Sequence, residues 1–142
     1  MADVLVADSS GILAAVDSGE PDHRAIARLL GKDTRPLVTI DFVLAEVDYL
    51  LLTRLGVQAE QAFVAQVLDG VVLREPVQDA DLRRAAEIAA RFSEHELGLT
   101  DSALMAAAER LKARQVLTLD RRHFSVFRDR SGQALELLPN RR

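Results

Sequence analysis

Short apolar runs recur along this chain, each followed by a segment with helical spacing, and this alternation restricts the fold more than any other feature. The strand-like runs are Asp3–Asp8, Leu37–Ile40, Val71–Leu73, Gln115–Leu119 and Ala134–Leu138. Between them lie segments with apolar residues at helical intervals. The first runs from Ser9 with Ile12, Leu13 and Val16, and is broken by Gly19 and Pro21. The next spans Asp22–Leu30 and is expected to close at Gly31. Phe42–Leu55 follows, with Asp41 placed to cap it and Gly56 to end it, and then Ala59–Leu68. A long helix starts at Asp79 and reaches Phe92, and another runs from Asp101 to about Lys112 behind a Gly98-Leu99 break and a Thr100 cap. Strands joined by helical crossovers must run mainly parallel, and a parallel sheet needs helices on both faces. The expectation is an α/β fold of three layers, α/β/α, around a central sheet of about five strands. Neither repeat nor linker interrupts the pattern, so residues 1–142 read as a single domain, with Asn140-Arg141-Arg142 expected to fray.

Composition narrows the class. Apolar residues make up 49% of the chain, enough for a core of Leu, Val, Ile and Ala, since Trp is absent and aromatics are 4%. No stretch reaches the roughly 18 apolar residues that a membrane span requires. The N-terminus has no basic region ahead of an apolar run, so no secretory signal is expected. Without cysteine there is neither a disulfide framework nor a thiolate ligand or nucleophile. These features imply a cytoplasmic protein away from membranes. With 22 Asp and Glu against 18 Lys and Arg, the whole surface is not a nucleic-acid-binding field, although a local basic rim beside an acidic pocket is compatible with that balance.

The carboxylates carry the chemistry. In open parallel sheets ligands bind beyond the carboxyl ends of the strands. Asp8 ends the first strand and Asp120 follows Val116-Leu117-Thr118-Leu119, so neighbouring strands would aim both into one crevice. The competing reading is that each Asp caps the turn after it. Glu46 lies within Phe42-Val43-Leu44-Ala45-Glu46-Val47, where a charge is expensive unless paired or bound to a cation. Its helix is apolar on most sides and is expected to be deeply packed. Asp101 sits in a helical first turn, favourable with the dipole, yet Leu104, Met105 and Ala108 put it at the rim of the buried face. Two carboxylates about 4 Å apart repel by roughly 4 kcal/mol at an effective dielectric near 20. A cluster of four persists by taking up protons or binding cations. An all-oxygen set, poor in histidine, suits Mg²⁺ or Mn²⁺ better than zinc.

Four short motifs then resemble those of one family in order and spacing. Val6-Ala7-Asp8-Ser9-Ser10 resembles the start of PIN domains, where Asp, then Thr or Ser, then Ser closes the first strand. Leu44-Ala45-Glu46-Val47 resembles the segment carrying the family's Glu, and Leu97-Gly98-Leu99-Thr100-Asp101-Ser102-Ala103 the segment with its next Asp. Leu117-Thr118-Leu119-Asp120-Arg121-Arg122-His123-Phe124 is similar to the closing motif of VapC-type members. Ser9 stands where Thr is commoner and keeps the hydroxyl. The resemblance implies a metal-dependent endoribonuclease with Asp8, Glu46, Asp101 and Asp120 as its acidic residues, Asp8 and Asp101 being direct ligands of Mg²⁺, with Mn²⁺ as a possible substitute. It further implies a toxin that inhibits translation by cutting structured RNA, such as tRNA or rRNA, at few sites. A VapB-type antitoxin and a homodimer complete the implied assembly, with the helices over Asp22–Leu30 and Phe42–Leu68 as candidate surfaces.

At the mouth of the crevice, Ser9 and Ser10 at a helix start and Arg121 and Arg122 after Asp120 are candidate RNA contacts. His123 stands beside them. His23 and His95 are expected on the surface, and Phe124 and Phe127 are expected to pack the turn. Two other functions compete. A phosphatase or receiver-like Mg²⁺ protein needs a Lys near the phosphate, and Lys32 and Lys112 do not follow apolar strands. A catalytically silent PIN-like binding module would be marked by loss of an acidic residue, and all four are present.

Overall fold

A computed structural model of the chain describes residues 3–140. Arg141 and Arg142 of the tail expected to fray lie outside the described residues. Strands β1 (Leu5–Ala7), β2 (Leu37–Thr39), β3 (Leu73–Arg74), β4 (Gln115–Leu117) and β5 (Glu136–Leu138) form a sheet in the order β3-β2-β1-β4-β5. Every pairing is parallel, with Val6 opposite both Val38 and Val116. β1 and β4 are fully buried or nearly so, which explains their unbroken apolar character.

The helices are α1 (Ser9–Val16), α2 (His23–Lys32), α3 (Asp41–Leu55), α4 (Val57–Leu68), α5 (Asp79–Arg91), α6 (Leu99–Arg110) and the short α7 (Arg121–Phe124), with a 3₁₀ turn at Ser93–His95. From β1 the chain steps to β2 and then β3 in one direction across the sheet, and then jumps back past β1 to β4. Parallel crossovers are right-handed, so this reversal puts α1 to α4 on one face and α5 and α6 on the other. The packing agrees: α1 contacts α2 and α3, α3 contacts α4, and α5 lies along α6. The expected three-layer α/β/α architecture is therefore present. The reversal also opens a crevice between the carboxyl ends of β1 and β4, where a doubly wound sheet binds its ligand.

Several helix boundaries differ from the sequence expectation. Gly31 does not close α2; the helix continues to Lys32, and Asp33 ends it by turning its carboxylate to Arg35, 2.7 Å away. Asp41 caps nothing, because it is the first residue of α3 and forms a two-pronged pair with Arg74 at 2.8 Å. Thr100 is likewise inside α6, which starts two residues earlier behind an extended Gly98, a residue well suited to an N-cap. The third strand is shorter than expected and shifted toward Arg74. The largest correction concerns α3. Only Val43, Val47 and Leu51 are buried, while Tyr49, Leu52 and Leu55 face outward, so this helix is not deeply packed.

Two elements hold the crevice in shape. α6 is buried from Ser102 to Ala108, and its small residues let it settle against α5 and the core. α1 begins so close to β4 that a Cβ on Gly11 would lie 2.3 Å from the Leu117 carbonyl oxygen. A Gly11→Ala substitution is expected to destabilise the fold by about 3 kcal/mol or more, since backbone cannot yield as a side chain would. Gly31→Ala, in a helix with nothing within 4 Å of the added methyl, is expected to stabilise by about 0.5–1 kcal/mol. Urea denaturation of both variants beside the parent checks the contrast.

Candidate active site

The first strand's last step builds the floor of the site. Asp8 follows β1, and its backbone N–H donates to the Leu117 carbonyl at 3.1 Å, which ties it to β4. Its side chain N-caps α1 by accepting from the Gly11 N–H at 2.9 Å. Ser10 Oγ donates to the same carboxylate oxygen at 2.8 Å, and Thr118 Oγ1 donates to the other at 2.6 Å. Capping and site-building are thus one arrangement rather than competing ones. Asp120 behaves alike: it caps α7 through the His123 N–H at 3.1 Å.

Asp8, Glu46, Asp101 and Asp120 all line one open cleft of about 300 Å³, together with Ser9, Ser10, Thr100 and His123. They arrive from β1, α3, α6 and the start of α7, so no local segment makes the cluster. The cleft has room for a hydrated cation and a phosphate group, while any larger RNA must lie across its mouth. Among the described residues no Lys or Arg lines it.

Burial pushes the Asp8 carboxyl up to about 6, against the pull of its hydrogen bonds from Thr118, Gly11 and Ser10, and the Asp101 charge adds to the rise. Asp101 is also raised, first by burial and then by the charges of Asp120 and Glu46, while the His123 hydrogen bond opposes the shift. Carboxylates crowded together without a lysine or arginine among them repel, and either protons or a bound cation would relieve that repulsion. The hard oxygen donors fit Mg²⁺ or Mn²⁺.

Glu46 reaches the cleft but not by the expected route. It is exposed at the cleft even though Val43 and Val47 on the same helix are wholly buried, because it borders the buried stripe of α3 rather than lying within it. Ser10's hydroxyl is already committed, donating to Asp8 and accepting from the Leu119 N–H at 2.8 Å. Ser9 is buried against the cleft, whereas Arg121 and Arg122 are exposed and do not line it, Arg122 lining a second cleft with His123. Phe124 and Phe127 pack the turn as expected, both buried.

Two residues escaped the sequence reasoning. Thr118 was legible as a strand residue, but its hydroxyl accepts from the Asp120 N–H at 2.9 Å while donating to Asp8, coupling the two carboxylates. His123 is not merely at the mouth: its Nδ1 lies 3.0 Å from Asp101 Oδ2 and 3.1 Å from Asp120 Oδ2, so a ring nitrogen stands among the carboxylate oxygens. A histidine one turn after an N-capping Asp was the available signal.

This topology, with a switch-point crevice ringed by four carboxylates, defines a class, and the sequence profile of the PIN domain matches residues 5–129. The chain belongs to the PIN-domain family. It is 36% identical to Ribonuclease VapC26 of Mycobacterium tuberculosis over 95% of this chain and 100% of that protein. It is also similar to the solved structure of Mycobacterium tuberculosis VapC20, described as a Sarcin-Ricin loop cleaving toxin, at 26% identity and a TM-score of 0.78, covering 87% of this chain and 95% of that one. The chain matched in the structure of DNA-bound VapBC from Salmonella typhimurium shares the fold, with a TM-score of 0.69 at 14% identity over 95% of this chain and 96% of its own. No described helix is long and apolar enough to cross a membrane.

Asp8 holds its proton more tightly in the fold than in the unfolded chain, where its carboxyl titrates near 3.8. Its contribution to stability is therefore complete below about pH 4 and is lost as pH rises through about 6. Without divalent ions, Asp8→Asn is expected to be more stable than the parent at pH 7.5 by about 1–3 kcal/mol, two pKa units being worth about 2.7 kcal/mol. The gain is expected to shrink toward pH 4, and thermal unfolding in EDTA across that range checks it.

Proposed function

We propose that this chain is a divalent-metal-dependent endoribonuclease toxin of the VapC kind. The observation that carries this reading is the convergence of four carboxylates from four separate elements on the switch-point crevice. Membership of the PIN-domain family and the likeness to a relative named as a ribonuclease support the same activity. The match over residues 5–129 and the single sheet support one domain, and we take residues 1–142 to work as one unit, with the cytoplasm as its place of action.

Asp8 and Asp101 are the direct ligands in this reading, with Asp120 beside them and Glu46 at the mouth. A bound Mg²⁺, or Mn²⁺ in its place, supplies acidity to a coordinated water and neutralises charge on the phosphodiester. Thr118 and Ser10 hold the Asp8 carboxylate in one orientation, so that its oxygens do not turn away into solvent. Glu46, the outermost of the four, accepts a hydrogen bond from the attacking water and orients it. Ser9 and the start of α1 offer polar contacts to a phosphate, and Arg121 and Arg122 hold the backbone that runs past the cleft. The substrate is structured RNA such as tRNA or rRNA, cut at few sites to stop translation, a reading supported by the rRNA loop named for the VapC20 neighbour.

A VapB-type antitoxin neutralises the toxin, and a homodimer is its working unit. The outward apolar residues of α3 and α4, among them Tyr49, Leu52, Val64 and Leu68, are the surface that such partners would cover. The phosphatase-like reading has no support in the cleft, since Lys32 and Lys112 do not line it.

Purified protein incubated with total bacterial RNA and Mg²⁺ is expected to give discrete fragments, abolished by EDTA. Asp101→Asn should slow cleavage by at least about 100-fold, more than loss of a group that only supports a ligand. Absence of cleavage with every divalent ion, while the ion still binds, would mean a silent binding module instead. Replacing both Arg121 and Arg122 by Ala should weaken RNA binding and lower the slope of log affinity against log salt by about 1.4, two phosphate contacts on a single strand. Filter binding at several salt concentrations measures that slope.

A further inference from the structure

We infer that His123 is a nitrogen ligand of the metal alongside Asp101 and Asp120, and that it tilts the site from Mg²⁺ toward first-row transition ions such as Mn²⁺. The inference rests on the metal-dependent reading above and adds to it a residue and a choice of ion. An octahedral ion with ligands at about 2.1 Å sets neighbouring donor atoms about 3.0 Å apart. His123 Nδ1 stands 3.0 Å from Asp101 Oδ2 and 3.1 Å from Asp120 Oδ2, two edges of that size meeting at one nitrogen. Among the described residues, these three form the one group whose donor atoms all lie within 4.8 Å of one another.

The fold holds the ring there independently of any ion. Asp120 caps α7 through the His123 backbone N–H, which fixes the histidine one turn from the aspartate on the same side. Phe124, the next residue, is wholly buried and pins the short helix to the core. The His123 side chain is 17% exposed, so it does not swing freely in solvent. Nδ1 thus stands between the two carboxylates, where a cation would be held by all three residues, and ligation through Nδ1 would leave the ring N–H on Nε2. Nε2 meets Arg122 at 3.5 Å, too long a contact to fix the tautomer, in a second cleft that Glu94 and Glu96 also line. A carboxylate there can receive the Nε2 proton, as acceptors behind metal-bound histidines do. Nitrogen donors favour first-row transition ions, whereas Mg²⁺ keeps to oxygen.

The test uses the full chain freed of metal, titrated calorimetrically with Mn²⁺ and with Mg²⁺, and pulsed electron paramagnetic resonance of the Mn²⁺-loaded protein. The parent is expected to show nitrogen coupling to the bound Mn²⁺. In His123→Ala and His123→Gln, each verified as folded by circular dichroism, that coupling should vanish. Their Mn²⁺ affinity should fall at least about 10-fold, with the Mg²⁺ affinity changed by less than about threefold. A parent that binds Mn²⁺ without nitrogen coupling overturns the assignment whatever the variants do. Equal losses for both ions overturn the ion preference and leave His123 as a support for the carboxylates. If the parent binds neither ion, the metal-dependent reading itself fails.

Discussion

The buried carboxylate of Asp8 is the interaction on which the rest of the structure depends. One side chain caps α1, accepts hydroxyl protons from Ser10 and Thr118, and closes the seam between β1 and β4. Three hydrogen bonds on an acceptor-only group offset part of its burial, and the carboxyl still stays well above its ordinary pKa. The residual strain in charge has no relief within the protein. A cation held in the crevice would relieve it, so the group that anchors the fold is also the one on which a bound metal ion would act.

Much of this was legible in the sequence because it depends on local chemistry. Apolar runs of strand length separated by helical periodicity imply a parallel sheet, and such sheets concentrate function at strand ends. Asp8 and Asp120 were readable on that ground alone. Glu46 was found for a mistaken reason. Its apolar neighbours suggested burial, and Val43 and Val47 are buried, yet Glu46 borders their stripe and is exposed, a difference of one helical position that periodicity does not resolve. Helix ends were the least readable feature. Gly31 and Thr100 have the right residue types for a stop and a cap, but the helices extend through both because their neighbours satisfy the backbone better. His123 and Thr118 were hidden for another reason. Their roles are set by the approach of α6 and β1 to the last third of the chain, which no local pattern encodes.

The charge layout follows from the same division. The chain is mildly acidic overall, with a net charge of −4, and its cleft is lined by carboxylates. In the proposed reading, attraction for a polyanion would come from a bound cation and from Arg121 and Arg122 rather than from the surface at large. Several other arginines are engaged in the scaffold: Arg110 binds Asp81 and Arg84 binds Glu109, pairs that lock α5 to α6, while Arg110 also holds Glu75.

The pairing of β1 with β4 has a consequence during synthesis. Asp8 leaves the ribosome 110 residues ahead of Thr118, its hydrogen-bond partner. At about 5–20 residues per second the two ends of the site are separated by several seconds of translation. Until β4 emerges and slots beside β1, the carboxylates share no crevice. The growing chain therefore carries its acidic residues without a site, and the crevice exists only when the last strands are in place.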